Sequence, residues 1–235
     1  MYLLPVTLGD TPTENVLPVY NREVADGIRH FIVEDVRSAR RFLKKQNRDA
    51  DIDSLTFYTL DKHTRPEEVS DYLKPLEAGE PMGVISEAGC PAVADPGADV
   101  VAIAQRKGLK VVPLVGPSSI LLALAASGLN GQAFAFAGYL PVKPPERAKT
   151  LRALERRART AGESQIFIEA PYRNVKLLEQ IVSVCDGATM LTVACDVTSP
   201  DEIILTESIA GWSRRRMPDI AKRPTIFIIG RALGI

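Results

Sequence analysis

The sequence is poor in the residues that build metal clusters and disulfide frameworks. It contains three widely spaced cysteines (Cys90, Cys185 and Cys195) and only two histidines (His30 and His63). An odd number of cysteines without a CxxC pair argues against a disulfide scaffold or a zinc site and favours a reducing, cytoplasmic setting. We therefore expect no metal centre.

The sequence also lacks an excess of charge and long apolar runs. Its 29 basic and 29 acidic residues give a formal net charge of +0. This balance argues against bulk nucleic-acid binding, although a local basic patch can still contact phosphates. No apolar run is long enough to span a bilayer, and the apolar start Tyr2–Leu8 lacks the basic region that precedes a signal peptide core. We expect a soluble intracellular protein that does not contact a membrane.

The order of apolar segments predicts the fold class. Up to Val115, short strand-like runs, the first at Tyr2–Leu8 and the last at Lys110–Val115, alternate with helical patterns, which is typical of a mostly parallel sheet with crossover helices. Beyond Phe134 the runs are shorter, and we expect Glu202–Leu205 to pair antiparallel with Met190–Cys195. The sequence thus predicts two α/β domains, residues 1–115 with a mostly parallel sheet and residues 116–235 with a mixed sheet.

A stretch from Val84 to Gly97, VISEAGCPAVADPG, is the most informative part of the chain. It reads as a strand, a tight loop of small residues and a helix start. Small side chains at the carboxyl end of a strand allow backbone groups to approach a ligand closely, and open α/β sheets bind ligands there. An ordinary strand–helix turn fits the same residues. Neither GxGxxG nor the Walker pattern occurs, so the common phosphate cradles are not supported.

Polar residues follow two other predicted strands. Glu34, Asp35 and Arg37 come after Phe31–Val33, where they could contact a substrate, although Asp35 could equally cap the helix that follows. Glu169 ends a later strand. His63 lies in a polar loop and is either a surface residue or a catalyst.

Two predicted helices suggest further sites of ligand contact. Ser118 and Ser119 precede the apolar helix Ile120–Ser127, which we expect to be buried; its N-terminal hydroxyls suit a ligand carboxylate or act as ordinary caps. Lys143–Arg159 contains seven basic residues against two acidic ones and predicts a surface helix with a basic face. That face is either simply solvated or contacts phosphates, and the candidate phosphate contacts are Arg147, Arg152, Arg156 and Arg214.

Several loops together resemble one family. The stretches YLLPVTLGDT, VEDVRSARRFL, LDKH, ISEAGCPAVADPG, VVPLVGPSSILLALAASGL, FAGYLP and IFIEAPYR occur in the family's order and cover nearly the whole chain. The chain resembles the tetrapyrrole-methylase superfamily of S-adenosylmethionine-dependent methyltransferases. It is most similar to the 16S ribosomal RNA 2′-O-ribose cytidine methyltransferases, transferases that act in rRNA processing.

The resemblance implies a fold, a cofactor and partners. It implies two α/β domains with S-adenosylmethionine in the cleft between them, a homodimer, and ribosomal RNA or the small ribosomal subunit as partner. The ribosomal enzymes often extend beyond the position of Ile235, so the resemblance implies a short form of the family. The implied cofactor-binding residues are Leu8, Gly9, Asp10, Ala88, Gly89, Cys90, Val93, Ser118, Ser119, Ile168 and Thr225, with Glu169 close to them.

The chain also departs from the ribosomal pattern. The family usually has aspartate at Glu87, threonine at Cys90 and Val36, and asparagine at Asp10, and its Arg-Glu-Leu-Thr-Lys run is replaced here by Cys195–Ser199. Two alternatives therefore stay open: a methyltransferase acting on a tetrapyrrole or another small molecule, and a non-catalytic S-adenosylmethionine-binding protein.

A hydroxyl nucleophile benefits from a general base or a polarising cation. The candidate catalytic residues are Glu34, Asp35, Arg37 and Glu169.

Overall fold

The structure is a computed structural model that describes residues 1–60 and 64–232. The expectations for His63 and for the LDKH match involve Asp61, Lys62 and His63, which lie outside the described residues. The chain divides into two units, Met1–Ser118 and Ser119–Ile235, a few residues beyond the boundary that we predicted from the sequence.

The described part of the first unit is a five-stranded parallel sheet with helices in the connections, as the alternating pattern predicted. Its strands are β1 (Tyr2–Leu4), β2 (His30–Val33), β3 (Thr56–Thr59), β4 (Met82–Ile85) and β5 (Val112–Pro113). Its helices are α1 (Val19–Asp26), α2 (Val36–Gln46), α3 (Pro66–Tyr72), α4 (Lys74–Glu77) and α5 (Ala98–Arg106), with 3₁₀ turns at Thr13–Asn15 and Ile52–Ser54. The strand order is β3-β2-β4-β1-β5, and each neighbouring pair is parallel.

Both faces of the central strands β2 and β4 are largely buried, which is why these strands are mainly apolar, whereas the edge strand β3 is partly exposed. Ile32 and Val84 pack into one core cluster with α3 and α5, whereas Phe31 and Ile85 pack into another with α1 and α2. Gly83 is required between them, because a Cβ there would lie 2.5 Å from Leu4 Cδ1 and 2.8 Å from Phe31 Cδ1.

Prolines shorten two strands relative to the prediction. β1 was expected to reach Leu8 but ends at Leu4, since Pro5 has no N–H for the ladder. Beyond it, Val6 forms only an isolated antiparallel bridge with Gly89. β5, expected over Lys110–Val115, is reduced to two residues at the sheet edge, where Pro113 is tolerated.

The described part of the second unit is built on a mixed sheet, as predicted. Its strands are β6 (Phe134–Tyr139), β7 (Ser164–Ile168), β8 (Met190–Cys195), β9 (Ile203–Ser208) and β10 (Thr225–Gly230). Its helices are α6 (Ser119–Ser127), α7 (Pro144–Ala161), α8 (Asn174–Val184) and α9 (Ile209–Trp212), with a 3₁₀ turn at Pro171–Arg173. The strand order is β6-β7-β10-β8-β9; β6 and β7 are parallel and the other pairs antiparallel, including the expected pair β8–β9.

The core of this unit lies between the sheet and helices α7 and α8. Leu151 of α7 and Ile181 of α8 pack against Phe167 and Phe227 of the sheet. Trp212 is fully buried beside them, and its Nε1 donates to the Leu191 carbonyl at 2.9 Å. This hydrogen bond satisfies the one polar atom of the indole.

The prediction that α6 is buried on nearly every face is wrong. Ala123 and Leu124 are buried, but Leu121 and Leu122 are 55% and 38% exposed. The helix contacts β9 and β10, and Leu121 and Leu122 remain exposed on it. Within the described ranges, no helix combines the length and apolarity needed to cross a membrane.

Candidate functional site

The carboxyl edge of the parallel sheet gathers several predicted site residues. Leu8 and Gly9 follow β1, Glu34 follows β2, and the loop from Ser86 to Gly97 follows β4. Ligands of open α/β sheets bind at this edge because the loops there bring backbone and polar groups together.

Gly89 is the point where the loops after β1, β4 and β5 meet. Its carbonyl accepts a hydrogen bond from Val6 N–H at 2.9 Å, which joins the β1 and β4 loops. A Cβ at Gly89 would lie 3.1 Å from Leu8 Cδ2 and 3.4 Å from the Pro117 carbonyl, and the residue has a φ of +68°. Only glycine fits this space and this backbone conformation without strain.

The β4 loop is strained beyond Gly89. Ala92 and Ala94 have φ values of 67° and 64°, in the left-handed region that L-residues avoid. Each costs on the order of 1 kcal/mol, which the surrounding structure must offset. Alanine is small enough to occupy these positions, which accounts for the run of small residues noted in the sequence. Strain of this kind is concentrated at functional loops.

Three acidic residues at this edge, Glu34, Glu87 and Asp95, are close enough to influence one another electrostatically. Glu34 Oε2 accepts a hydrogen bond from the Glu87 N–H at 3.0 Å. Burial raises the pKa of Glu34; the hydrogen bond opposes that shift, and the Glu87 charge adds to it. Burial, followed by the Glu34 charge, raises the pKa of Asp95 to about 6, although a hydrogen bond with Ser86 favours its ionised form. A carboxylate with such a pKa can accept a proton near neutral pH.

Asp95 and Ser86 were not among the predicted site residues. Both belong to the stretch quoted from the sequence, but only its small residues were carried forward. The available signal was an acidic residue two positions before Gly97, inside a loop already expected to bind a ligand.

Asp35 and Arg37 differ from Glu34 in their surroundings. Asp35 caps α2: its side chain accepts the Ser38 N–H at 2.7 Å, and this bond lowers the pKa of the carboxyl. The side chains of Asp35 and Arg37 are exposed. Of the three, the structure brings only Glu34 to the β4 loop, and it supports the capping interpretation of Asp35.

The other predicted cofactor residues of the first unit line or flank the same loops. Asp10 forms an ion pair with Lys45 at 2.9 Å, and the hydrogen bond in this pair lowers the pKa of Asp10. Cys90 Sγ donates to the Pro117 carbonyl at 3.4 Å, and burial raises the pKa of the thiol, which is therefore neutral at pH 7. Gly9 and Ala88 are exposed, Val93 is 51% exposed, and Ser118 is half-buried.

The second unit brings three of the remaining residues together. Ile168 ends β7 and lies opposite Ile226, so it is close to Thr225 at the start of β10. Thr225 Oγ1 donates to the Arg223 carbonyl at 2.9 Å. Glu169 follows Ile168 directly, whereas Ser119 begins α6.

Glu169 does not have the surroundings of a general base. Its side chain is fully buried, with the Arg173 guanidinium 2.5 Å away and that of Arg147 3.6 Å away. Its Oε1 also accepts the N–H of Ala170 at 2.8 Å. A carboxylate held between two arginines is occupied by these ion pairs and shielded from a substrate. The catalytic interpretation of Glu169 is therefore not supported by its contacts.

Arg147 is likewise unsuited to its predicted phosphate contact. The side chain is 6% exposed; it forms an ion pair with Glu169 and donates a hydrogen bond to Gln180 Oε1. By contrast, Arg152 and Arg156 on the same helix are exposed, so the basic face of α7 is present without Arg147. Among the residues that the structure describes, no group of three or more His, Cys, Asp or Glu side chains is placed to hold a metal ion.

Comparisons with known proteins agree on one family. The sequence model described as Tetrapyrrole (Corrin/Porphyrin) Methylases matches residues 16–211. The chain is 31% identical over 206 residues to the Ribosomal RNA small subunit methyltransferase I of Vibrio cholerae, a match that covers 87% of this chain and 67% of the relative. Other relatives of the same name are matched over about half their length.

Solved structures show the same fold. The chain superposes on the methyltransferase CobJ with a TM-score of 0.61 at 18% identity, covering 93% of this chain and 90% of the other. A uroporphyrin-III C-methyl transferase from Thermus thermophilus, complexed with S-adenyl homocysteine, gives a TM-score of 0.54 at 19% identity and covers 97% and 96% of the two chains.

Proposed function

Because this chain belongs to the tetrapyrrole (corrin/porphyrin) methylase family and is an S-adenosylmethionine-dependent methyltransferase, we propose that it methylates a ribose 2′-hydroxyl of small-subunit ribosomal RNA. The names of its curated relatives support this substrate. The observation that carries the proposal is the meeting of the β1, β4 and β5 loops at Gly89, a glycine-only contact at the ligand-binding edge of the sheet.

The residues at this edge fit the cofactor. The absence of a side chain at Gly89 lets the β1 and β5 loops approach the β4 loop closely, and the neighbouring Gly9 and Ala88 expose backbone that a ligand can reach. We infer that the residues that hold S-adenosylmethionine are Leu8, Gly9, Asp10, Ala88, Gly89, Cys90, Val93, Ser118, Ser119, Ile168 and Thr225. The bound cofactor supplies a methyl group on a sulfonium, ready for in-line displacement.

The chain's own residues must orient the nucleophile and remove its proton. Asp95 is our candidate for the proton acceptor, because its carboxylate lies at the β4 loop and its pKa is raised to about 6. Glu34 supports it as a positioning residue by fixing the Glu87 N–H of the same loop. Arg37 is exposed near the end of β2 and is a candidate for polarising the substrate.

The basic face of α7 supports RNA over a small substrate. Lys149, Arg152 and Arg156 are exposed along this helix, so phosphates could be contacted although the whole chain has no net charge. We also propose a cytoplasmic homodimer, and the exposed Leu121 and Leu122 on α6 support an apolar contact between two copies.

The experiment has two stages with a matched control. Calorimetric titration with S-adenosylmethionine should give one site, lost in Gly89→Arg and kept in Gly79→Arg, since Gly79 has a positive φ but nothing within 4 Å of an added Cβ. The wild type is then incubated with labelled cofactor and small ribosomal subunits lacking the modification.

Label recovered in a 2′-O-methylated nucleoside supports the proposed substrate. Label transferred to a tetrapyrrole but not to the subunits replaces it with the small-molecule activity. Cofactor binding with no transfer to any acceptor favours a binding protein, and the turn at Cys195–Ser199 is then the first region to compare with active relatives.

A further inference from the structure

The second unit exposes two tyrosines at one edge of its sheet. Tyr139 ends β6 and is 63% exposed; Tyr172 lies in the turn after β7 and is 70% exposed. Tyr139 pairs in register with Ile168, the last residue of β7, and the two strands are parallel. Both tyrosines therefore leave the sheet at its shared carboxyl edge.

Tyr172 contacts one end of a chain of three charged side chains. The Arg173 guanidinium lies 4.9 Å from the centre of the Tyr172 ring and donates to its hydroxyl at 2.6 Å. Arg173 is anchored in turn by Glu169, which is fully buried and also pairs with Arg147. The exposed ring of Tyr172 is thus connected through the half-buried Arg173 to two buried charged side chains.

Three exposed lysines lie close to the segments that carry the two tyrosines, either in sequence or through a backbone hydrogen bond. Lys143 is 78% exposed at the start of α7, where it pairs loosely with Glu146 at 3.6 Å. Lys176 is exposed in the first turn of α8, and the exposed Lys222 donates its backbone N–H to the Pro171 carbonyl at 3.1 Å. Flat rings among cations are complementary to unpaired nucleobases on a phosphate backbone.

We propose that Tyr172 is a stacking platform for a nucleobase of single-stranded RNA, held in place by the Arg147–Glu169–Arg173 ion chain, with Tyr139 and the three lysines continuing the contact. This inference rests on the proposed function, since it names where the RNA substrate is bound. Arg173 covers one side of the ring and restricts its rotation, so the base stacks on the exposed side at little entropic cost.

The test measures RNA affinity by fluorescence anisotropy with a labelled single-stranded oligonucleotide of about 12 nucleotides, within the range that such sites cover. We expect Tyr172→Ala to weaken binding by about fivefold to 100-fold and Tyr172→Trp to preserve it. Tyr20→Ala is the matched control, because Tyr20 is 57% exposed on α1 of the other unit.

The salt dependence of RNA affinity distinguishes base stacking from contacts between charges. Tyr172→Ala should leave the slope of log affinity against log salt unchanged, whereas Lys176→Ala should reduce it by about one. Arg173→Lys retains the charge but loses the planar group over the ring. It should weaken binding in the same direction as Tyr172→Ala, again without changing the slope.

The stacking proposal is wrong if the wild type does not bind RNA or if Tyr172→Ala binds RNA with unchanged affinity. It is also wrong if Tyr172→Ala changes the sedimentation of the protein while its RNA affinity stays intact, because this result would assign the edge to self-association. Methylation of small subunits is measured separately. Failure of that assay with Tyr172-dependent oligonucleotide binding would remove the proposed substrate but not the RNA site.

Discussion

The carboxylate of Glu34 accepts the backbone N–H of Glu87 at 3.0 Å and so ties the end of β2 to the loop that follows β4. The two residues are far apart in sequence, but their strands are neighbours in the sheet. This hydrogen bond fixes the first residues of the loop that carries Gly89 and Asp95.

Replacing Glu34 tests whether this tie holds the loop in its binding conformation. Glu34→Ala leaves the Glu87 N–H without its acceptor, at a cost of about 1 kcal/mol in the free energy of unfolding. Because the loop is already strained, we expect cofactor affinity to fall by about fivefold. Glu34→Gln keeps an acceptor oxygen and should bind cofactor as the wild type does. Equal losses of affinity in the two variants, measured calorimetrically, would show that charge and not the hydrogen bond matters.

Asp95 should give methyl transfer a distinctive pH dependence. Its pKa is raised from the ordinary value of 3.8 to about 6, so the proton acceptor forms only as the pH rises through about 6. We expect the rate to increase up to that pH and then level off, and Asp95→Asn to bind cofactor but lose this activity. Asp99→Asn, an exposed change in the following helix, is the control. An unchanged profile in Asp95→Asn would exclude Asp95 as the acceptor.

The same shift predicts a stability effect of defined sign. Because the pKa of Asp95 is higher in the folded protein, folding favours its protonated form, and this stability is present below pH 3.8 and lost as the pH rises through about 6. Above that range the ionised carboxyl destabilises the fold by about 1 kcal/mol, after allowance for solvent screening. Asp95→Asn should therefore resist urea better than the wild type at neutral pH but not at about pH 4. Equal stability at neutral pH would contradict this.

Substitutions at two glycines with the same backbone conformation distinguish the effect of backbone strain from the effect of a close side-chain contact. Gly89 and Gly108 both have a φ of +68°, but a Cβ would meet Leu8 and Pro117 only at Gly89. Each change to alanine should lower the free energy of unfolding by about 1 kcal/mol. Only Gly89→Ala should also weaken cofactor binding, by about tenfold, since Leu8 and Pro117 must shift. If both variants bind cofactor equally, the contact at Gly89 does not shape the site.

The sequence predicted those features of the fold that depend on the local pattern of residues. Alternating strands and helices gave the parallel sheet of the first unit, and the reversal after Cys195 gave the antiparallel pair β8–β9. The strand order could not be predicted, because β4 lies between β2 and β1 through contacts distant in sequence. The tie between Glu34 and Glu87 depends on that order and was missed for the same reason.

The burial of the charged side chain of Arg147 was also not predicted from the sequence, although a signal for it was present. Arg147 stands in a basic run, but it precedes Leu151 by four residues and Leu154 by seven, so helical spacing places it on the apolar stripe. Its partner Glu169 comes from another strand, and pairing across elements has no local pattern. The sequence therefore indicated the buried face of α7, but not that a buried carboxylate would make Arg147 part of it.

Removing Glu169 should unfold the second unit more readily than any surface change. Glu169→Ala leaves Arg147, 6% exposed, without its anionic partner, and breaking a buried pair in this way costs about 3–5 kcal/mol. Glu146→Ala is the control, because its pair with Lys143 is 78% and 61% exposed and is worth about 1 kcal/mol at most. Urea unfolding, followed by circular dichroism, measures the stability of both variants.

The double variant Arg147→Met with Glu169→Leu replaces charge by apolar volume and should recover part of the loss of stability. A Glu169→Ala protein as stable as Glu146→Ala would show that the ion chain does not support the fold, and the anchoring of Arg173 beneath Tyr172 would need another source.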